Sequence, residues 1–350
     1  MAIVKCSKCG RPYQVSAEQF YKSDVVVFPC LACKNPITLE KPTDLLDDEI
    51  HPKEEKPRKK RKLFKRHSEE KTKSGDALKK KIFRSLENLP PISQVVSEAL
   101  EVMADPNSVV DDIAKAIETD QSMVSNVIRL VNSAYYGLPN KVSSVQQACV
   151  LLGNRIIREI IIMAGVSKLL EKNLKGYGFT SGELWKHSVA SALGAKIIAG
   201  KEDTEQKNDA YIAGLIHDLG KITLNPYILE RMDVFASFMD TENQDFLEAE
   251  KSILGFDHAE IAYEICIKWK FPENIAFAIQ YHHRPLLSQG DRLSYIVHMA
   301  DFLAKSCGFG ESRETTDELE KGTMEFLSLE KEDISNIMSE MNEAMKQFDF

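Results

Sequence analysis

An all-α body behind a small N-terminal β element is the fold class that the sequence predicts, on three observations. From Asp76 onward, apolar residues recur at helical spacing with almost no strand alternation. Two Cys-x-x-Cys pairs within the first forty residues carry the spacing of a metal-held β ribbon. Between ribbon and body, residues 41–75 turn to prolines and dense charge, the composition of a disordered linker.

The chain has 350 residues, 43% hydrophobic and 28% charged, with a net charge of -8. That is enough for two or three domains and a sizeable core. No apolar run approaches the roughly 20 residues that span a bilayer, and no apolar signal core precedes Cys6. The segment Ile160–Val166 is flanked by Arg155, Arg158, Glu159 and Lys168 and reads as a buried helix. A cytoplasmic location is expected, with the paired cysteines reduced to thiolates.

Cys6, Cys9, Cys30 and Cys33 form two knuckles of a four-thiolate zinc site. Val25–Phe28 and Ile37–Leu39 are β-prone, so residues 1–40 are expected to be a zinc-ribbon-like finger stabilised largely by the metal. In the linker, residues 58–66 place seven basic side chains in nine positions, and subtracting those charges from -8 leaves -15 for the rest. Such a tether can attract nucleic acid or an anionic surface, or serve as a solvated spacer.

The body divides into 76–180 and 181–290, with C-terminal helices over 291–350. Ile82, Leu86, Val96, Ala99 and Met103 set the first stripes, and Pro90-Pro91 and Asp105-Pro106-Asn107 punctuate them. Ser108 or Asp111 is expected to cap the next helix and Asp120 the one after; Ser143-Ser144 starts a helix ending at Gly153. Asn132–Gly137 reads as a capped turn. Leu89-Pro-Pro-Ile-Ser-Gln-Val, Ile117-Glu-Thr-Asp-Gln-Ser-Met, Leu130-Val-Asn-Ser-Ala-Tyr-Tyr-Gly137, Val142-Ser-Ser144 and Leu152-Gly153 follow in order. Through these motifs the stretch from about Ile82 to Pro285 resembles the HDOD family. That resemblance implies a bacterial all-α signalling output domain, related to the HD metal-dependent phosphohydrolases.

Ligand-type residues gather in the second half. Glu183 and His187 are four apart and share one helix face. His217-Asp218 ends an apolar run at a helix break, followed by Lys221. His258 opens a helix, His282-His283 closes another before Pro285, and Asp301 lies on the helix from Arg292. Three carboxylates and five histidines suffice for two divalent ions. Two ions could activate hydroxide on a phosphate substrate, with Lys221 contacting the phosphate and Asp218 bridging. Satisfied core and cap histidines are the plainer reading of any one of them.

The resemblance orders these residues further. The HD and HD-GYP pattern of His, His-Asp, His, His-His and Asp falls on His187, His217, Asp218, His258, His282, His283 and Asp301, with Glu183 and Lys221 at accessory positions. It implies a dinuclear site for iron or manganese. Where HD-GYP proteins continue with Gly-Tyr-Pro, this chain reads Arg284-Pro-Leu-Leu-Ser-Gln-Gly290, which argues against cyclic-di-GMP as substrate. HDOD domains act chiefly as regulatory scaffolds, so the expected function is signal transduction through a protein partner or nucleotide ligand. The alternative is a phosphohydrolase. In the tail, two acidic amphipathic helices are expected, Thr315–Leu327 and Lys331–Phe348, the second packing its methionine stripe on the body.

Overall fold

The structure is a computed structural model. It describes the backbone of residues 2–5, 12–15, 25–29 and 36–40, and residues 78–348 apart from 79, 83, 87–91, 93, 106, 202–205, 241–244 and 311–318. The chain divides into two units, Met1–His67 and Ser68–Phe350.

In the first unit, β1 (Ala2–Lys5) pairs antiparallel with β2 (Pro12–Val15), and β3 (Val25–Pro29) pairs antiparallel with β4 (Pro36–Glu40). The β-prone stretches at Val25 and Ile37 thus fall on one hairpin, with Phe28 opposite Ile37. Cys6, Cys9, Cys30 and Cys33 lie outside the described residues, as does the linker with its basic run.

The second unit is helical among its described residues. Its first part comprises α1 (Gln94–Ala104), α2 (Val110–Glu118), α3 (Gln121–Val131) and the long α4 (Val145–Leu170). Asp120 caps α3 as expected, its carboxylate accepting the Ser122 and Met123 N–H groups. The cap of α2 differs from expectation. Val109 occupies the N-cap, and Asp112 reaches back to its N–H at 3.1 Å, because a carboxylate in the first turn satisfies the orphan donor that an apolar cap cannot. Asn132 staples the following turn, donating to Val142 O and accepting from Val142 N, each at 2.8 Å. Ser144 caps α4. Gly153 ends the first helical stretch of α4, as expected: its φ of 73° and ψ of 165° lie outside the helical region, and a second stretch follows to Leu170.

The second part is organised around α5 (Glu183–Gly200), whose residues from Leu184 to Ala199 are largely buried. Against it pack α6 (Lys207–Ile216), α12 (Arg292–Ser306) and α14 (Lys331–Lys346). Between them in sequence run α7 (Leu219–Leu229), α8 (Met232–Met239), α9 (Phe246–Leu254), α10 (His258–Lys268) and α11 (Glu273–Gln280). Helix α10 packs on both α7 and α11.

Two glycines set the close approaches. A Cβ on Gly214 of α6 would stand 2.7 Å from the Ser191 carbonyl of α5. A Cβ on Gly220 of α7 would stand 1.9 Å from the His258 carbonyl at the start of α10. In the tail, the helix expected over Thr315–Leu327 is the short α13 (Thr323–Phe326), preceded by the left-handed Gly322 (φ 85°) that its backbone requires. Helix α14 buries Ile337, Met341 and Met345, and Met341 sits over Gly194. The methionine stripe therefore belongs to the core. No helix among the described residues is long and apolar enough to cross a membrane.

Candidate metal centre

Each ligand-type residue sits where a helix starts, breaks or ends, or on the buried face of a central helix. His187 lies one turn into α5. His217 and Asp218 form the break between α6 and α7, His258 is the first residue of α10, and His282-His283 follow the end of α11. A break frees adjacent side chains from the ~100° divergence of a regular helix, so neighbours can face one centre. Asp301 projects from the buried face of α12.

The side chains converge. His187 Nε2 stands 3.0 Å from Asp301 Oδ1, 3.3 Å from His217 Nε2 and 3.4 Å from Asp218 Oδ2. His217 Nε2 is 3.4 Å from Asp218 Oδ2 and 3.6 Å from Asp301 Oδ1. The other Asp218 oxygen faces His258 Nε2 at 3.3 Å, and His283 Nε2 lies 2.8 Å from that same nitrogen. Ligand atoms within 4.8 Å of one another form three overlapping groups: His187, His217 and Asp218; His217, His282 and Asp301; and His258, His282 and His283. Such clusters could bind a metal.

The outer nitrogens decide the tautomers. His187 Nδ1 meets the Phe309 carbonyl at 3.0 Å, His217 Nδ1 the Gly214 carbonyl at 2.8 Å, and His282 Nδ1 the Ile279 carbonyl at 2.6 Å. A carbonyl oxygen only accepts, so each Nδ1 carries the proton. His258 Nδ1 likewise meets the Glu250 carboxylate at 2.9 Å. All four Nε2 atoms are then left inward among carboxylate oxygens, lone pairs facing lone pairs. His282 Nε2, Asp218 Oδ1 and Asp301 Oδ1 are buried with no hydrogen-bond partner, and Asp218 Oδ2 has only the Lys221 ammonium as a donor beside it. A buried acceptor cluster of this kind fits a cation, and outer hydrogen bonds of this kind orient metal ligands.

Without a cation, protons take that place. Burial pushes His187 down, but Asp218 and Asp301 outweigh it and hold the ring up at about 9. Burial depresses His258 too and is outweighed chiefly by Glu250. His282 and His283 are pushed well below the ordinary imidazole range by burial and by neighbouring histidines. Asp218 and Asp301 are held well below the usual carboxylate range: burial is overcome by His217 and Lys221 at the first, and by Lys305 and His187 at the second.

Lys221 is fully buried, its Nζ 2.9 Å from Asp218 Oδ2 and 5.6 Å from the ring centroids of Tyr177 and Phe179. Lys305 Nζ lies 3.0 Å from Asp301 Oδ2. Glu183 is placed differently from its expected role. It opens α5, belongs to none of the three groups, and its Oε2 accepts the Thr180 N–H at 2.5 Å. A carboxylate in the first helical turn is satisfied by the orphan donors beside it.

Sequence reasoning misses the outer residues. Glu250 accepts both the backbone N–H and the ring N–H of His258 and is itself bonded by the Tyr177 hydroxyl. His298 donates to the His282 carbonyl at 2.7 Å and accepts the Glu320 N–H at 3.0 Å. His298 lies one turn from Asp301, and Glu250 lies four residues from both Phe246 and Leu254 on the apolar face of α9; those spacings are the signals that could have found them.

Among solved structures, an HDOD domain protein from Geobacter sulfurreducens superposes with a TM-score of 0.62 at 23% identity, covering 79% of this chain and 96% of that one. A candidate phosphohydrolase from Shewanella amazonensis SB2B gives 0.60 at 21%, covering 76% and 96%. These likenesses establish a shared helical fold. An uncharacterized protein of Treponema pallidum (strain Nichols) is 22% identical over 252 residues, 71% of this chain and 47% of that protein. The chain thus spans about half the length of that curated relative. The HDOD domain profile matches residues 89–285, more than half of the chain and both halves of its helical body, so the chain belongs to the HDOD domain family.

Proposed function

We propose that the chain is a cytoplasmic regulatory module whose HDOD domain is built around a buried divalent-metal centre. His187, His217, Asp218 and Asp301 would hold one ion, and Asp218, His258, His282 and His283 a second. Asp218 turns one oxygen to each group and would serve both. The observation that carries the reading is the tautomer pattern: four histidines spend their Nδ1 protons outward and turn bare Nε2 atoms towards two carboxylates. Nitrogen and oxygen donors of this kind suit iron or manganese.

The regulatory reading rests on burial. His187, His217 and His282 are 0% exposed, Asp218 and His258 1%, and Asp301 3%. Such a centre supports a scaffold or a sensor of metal occupancy better than it admits a phosphoester. Output then passes to a protein partner. The alternative reading, a metal-dependent phosphohydrolase, is favoured by Lys221 beside Asp218, a cation placed for an anionic phosphate. Bound divalent ions would supply Lewis acidity and an activated water. Cys6, Cys9, Cys30 and Cys33 are proposed to hold a separate structural zinc, and residues 58–66 to give the tether its affinity for anionic surfaces.

The test is elemental analysis of the anaerobically purified full chain beside its His217→Ala/Asp218→Ala variant. About two iron or manganese ions per chain, lost in the variant while zinc is kept, are expected from a two-ion set. A well-folded wild type that takes up neither metal would overturn the centre. Turnover of a phosphoester panel by the metal-loaded wild type, absent in the variant, would replace the regulatory reading with the hydrolase.

A further inference from the structure

Away from the metal centre, a cleft of about 400 Å³ opens where α1, the stretch of α4 just after the Gly153 kink, and the turn between α10 and α11 come together. That volume lies within the roughly 300–1,000 Å³ of small-molecule sites. We propose that this cleft is a nucleotide-binding site, taking a nucleoside monophosphate independently of the metal centre.

Charge is the first argument. Arg155, Arg158 and Lys270 line the cleft against the single acid Glu101. Arg158 is steadied by Asp209 at 3.8 Å and Lys270 by Glu101 at 3.2 Å. Arg155 has no acidic partner among the described residues and stands in the first turn after the kink, where helix-terminal donors also favour an anion. Two guanidiniums three residues apart on one helix suit a phosphate's oxygens better than a lone ammonium does.

Trp269 is the second, independent argument. Its side chain lines the cleft and is 6% exposed, and its indole N–H is buried with no acceptor. An unsatisfied buried donor costs about 1–3 kcal/mol, and a small shift of the indole on binding would let a ligand acceptor meet it. The indole, Phe271 and Met103 give the cleft apolar walls for a flat heteroaromatic ring, next to the guanidiniums that would meet its phosphate. Lys270 adds a third sign of construction. It holds the left-handed position (φ 58°) that closes α10, where glycine is the low-cost residue, and so brings an ammonium to the rim.

The experiment is calorimetric titration of the full-length chain with AMP, GMP and inorganic phosphate, before and after chelation. One nucleotide is expected to bind with a submillimolar Kd, at least about tenfold tighter than phosphate, because the apolar walls contribute only with a base present. Arg155→Glu, a change at an exposed position, is expected to weaken binding at least about tenfold, and Trp269→Phe by about three- to tenfold. Binding is expected to persist after chelation and in His217→Ala/Asp218→Ala, so failure of the metal-centre reading would leave this one standing. The proposal is overturned if neither nucleotide binds up to about 5 mM, several-fold above the submillimolar Kd expected. It is equally overturned if phosphate binds as tightly, if both cleft variants bind normally, or if chelation abolishes binding.

Discussion

Glu250 grips His258 twice: one carboxylate oxygen accepts both its backbone N–H and its ring Nδ1–H, each at 2.9 Å. The contact caps α10 and fixes the tautomer that turns His258 Nε2 towards Asp218. Replacing Glu250 by Gln keeps the size but lets an amide N–H face the ring, so the tautomer is no longer enforced. Metal affinity of the group containing His258 should fall about 10- to 100-fold, the usual cost of losing an outer hydrogen bond to a ligand. Chelator competition with Glu250→Gln checks this; an unchanged affinity with the fold intact would leave Glu250 a cap only.

Gly220 allows α7 to approach α10 so closely that an added Cβ would fall 1.9 Å from the His258 carbonyl. Backbone cannot yield as a side-chain tip does. Gly220→Ala should therefore cost about 3 kcal/mol, at the upper end for overpacking, and separate Asp218 from His258. The denaturation midpoint and the metal content should fall together. A variant as stable as wild type would show that the two helices slide apart without penalty.

The metal-free protein should show a particular pH profile. His187, held up at about 9, and His258, also raised, contribute stability in full below the unfolded value near 6.5 and lose it as pH rises through their folded values. His282 and His283 are depressed, so their contribution is complete above about 6.5 and is lost as pH falls below it. Stability after chelation should thus peak near neutrality and drop towards pH 9. Metal-loaded protein should lack the alkaline drop, because its Nε2 atoms hold a cation rather than a proton. Denaturation midpoints measured at several pH values, with and without metal, decide it; parallel profiles would contradict the argument.

The helical body is legible in the sequence because apolar spacing is a local property. The same holds for the places where helices break, since His217-Asp218 follows an apolar run and His282-His283 precedes a proline. What is not legible depends on tertiary packing. Helical spacing places Glu250 with Phe246, Ala249 and Leu254 on the buried face, away from Glu248, but it cannot name the His258 ring that Glu250 meets there. Glu183 has the right spacing to His187, yet the orphan amide of Thr180 claims its carboxylate. Gly153 ends a helix as the sequence implies, and the buried residues beyond it, from Ile157 onward, carry a second helical stretch that the apolar run Ile160–Val166 announces.

Lys221 separates the two readings of the centre. Its ammonium is fully buried 2.9 Å from Asp218 Oδ2, where it neutralises a carboxylate that burial would otherwise raise. Methionine keeps the length of the side chain and removes the charge. In the metal-free state, Lys221→Met leaves Asp218 short of a cation and should destabilise the fold by about 3 kcal/mol, the cost of breaking a buried pair. With metal present the sign reverses at the site: a competing positive charge is gone, so divalent ions should bind as tightly as in wild type or more tightly. In a regulatory module that variant stays metal-loaded and keeps its partner output. In a phosphohydrolase it stays metal-loaded and loses turnover, because the cation that would meet the phosphate is missing. Metal content, melting with and without chelator, and turnover on one phosphoester panel distinguish the cases. Loss of metal in Lys221→Met would contradict both, since it would make the lysine a requirement for building the centre.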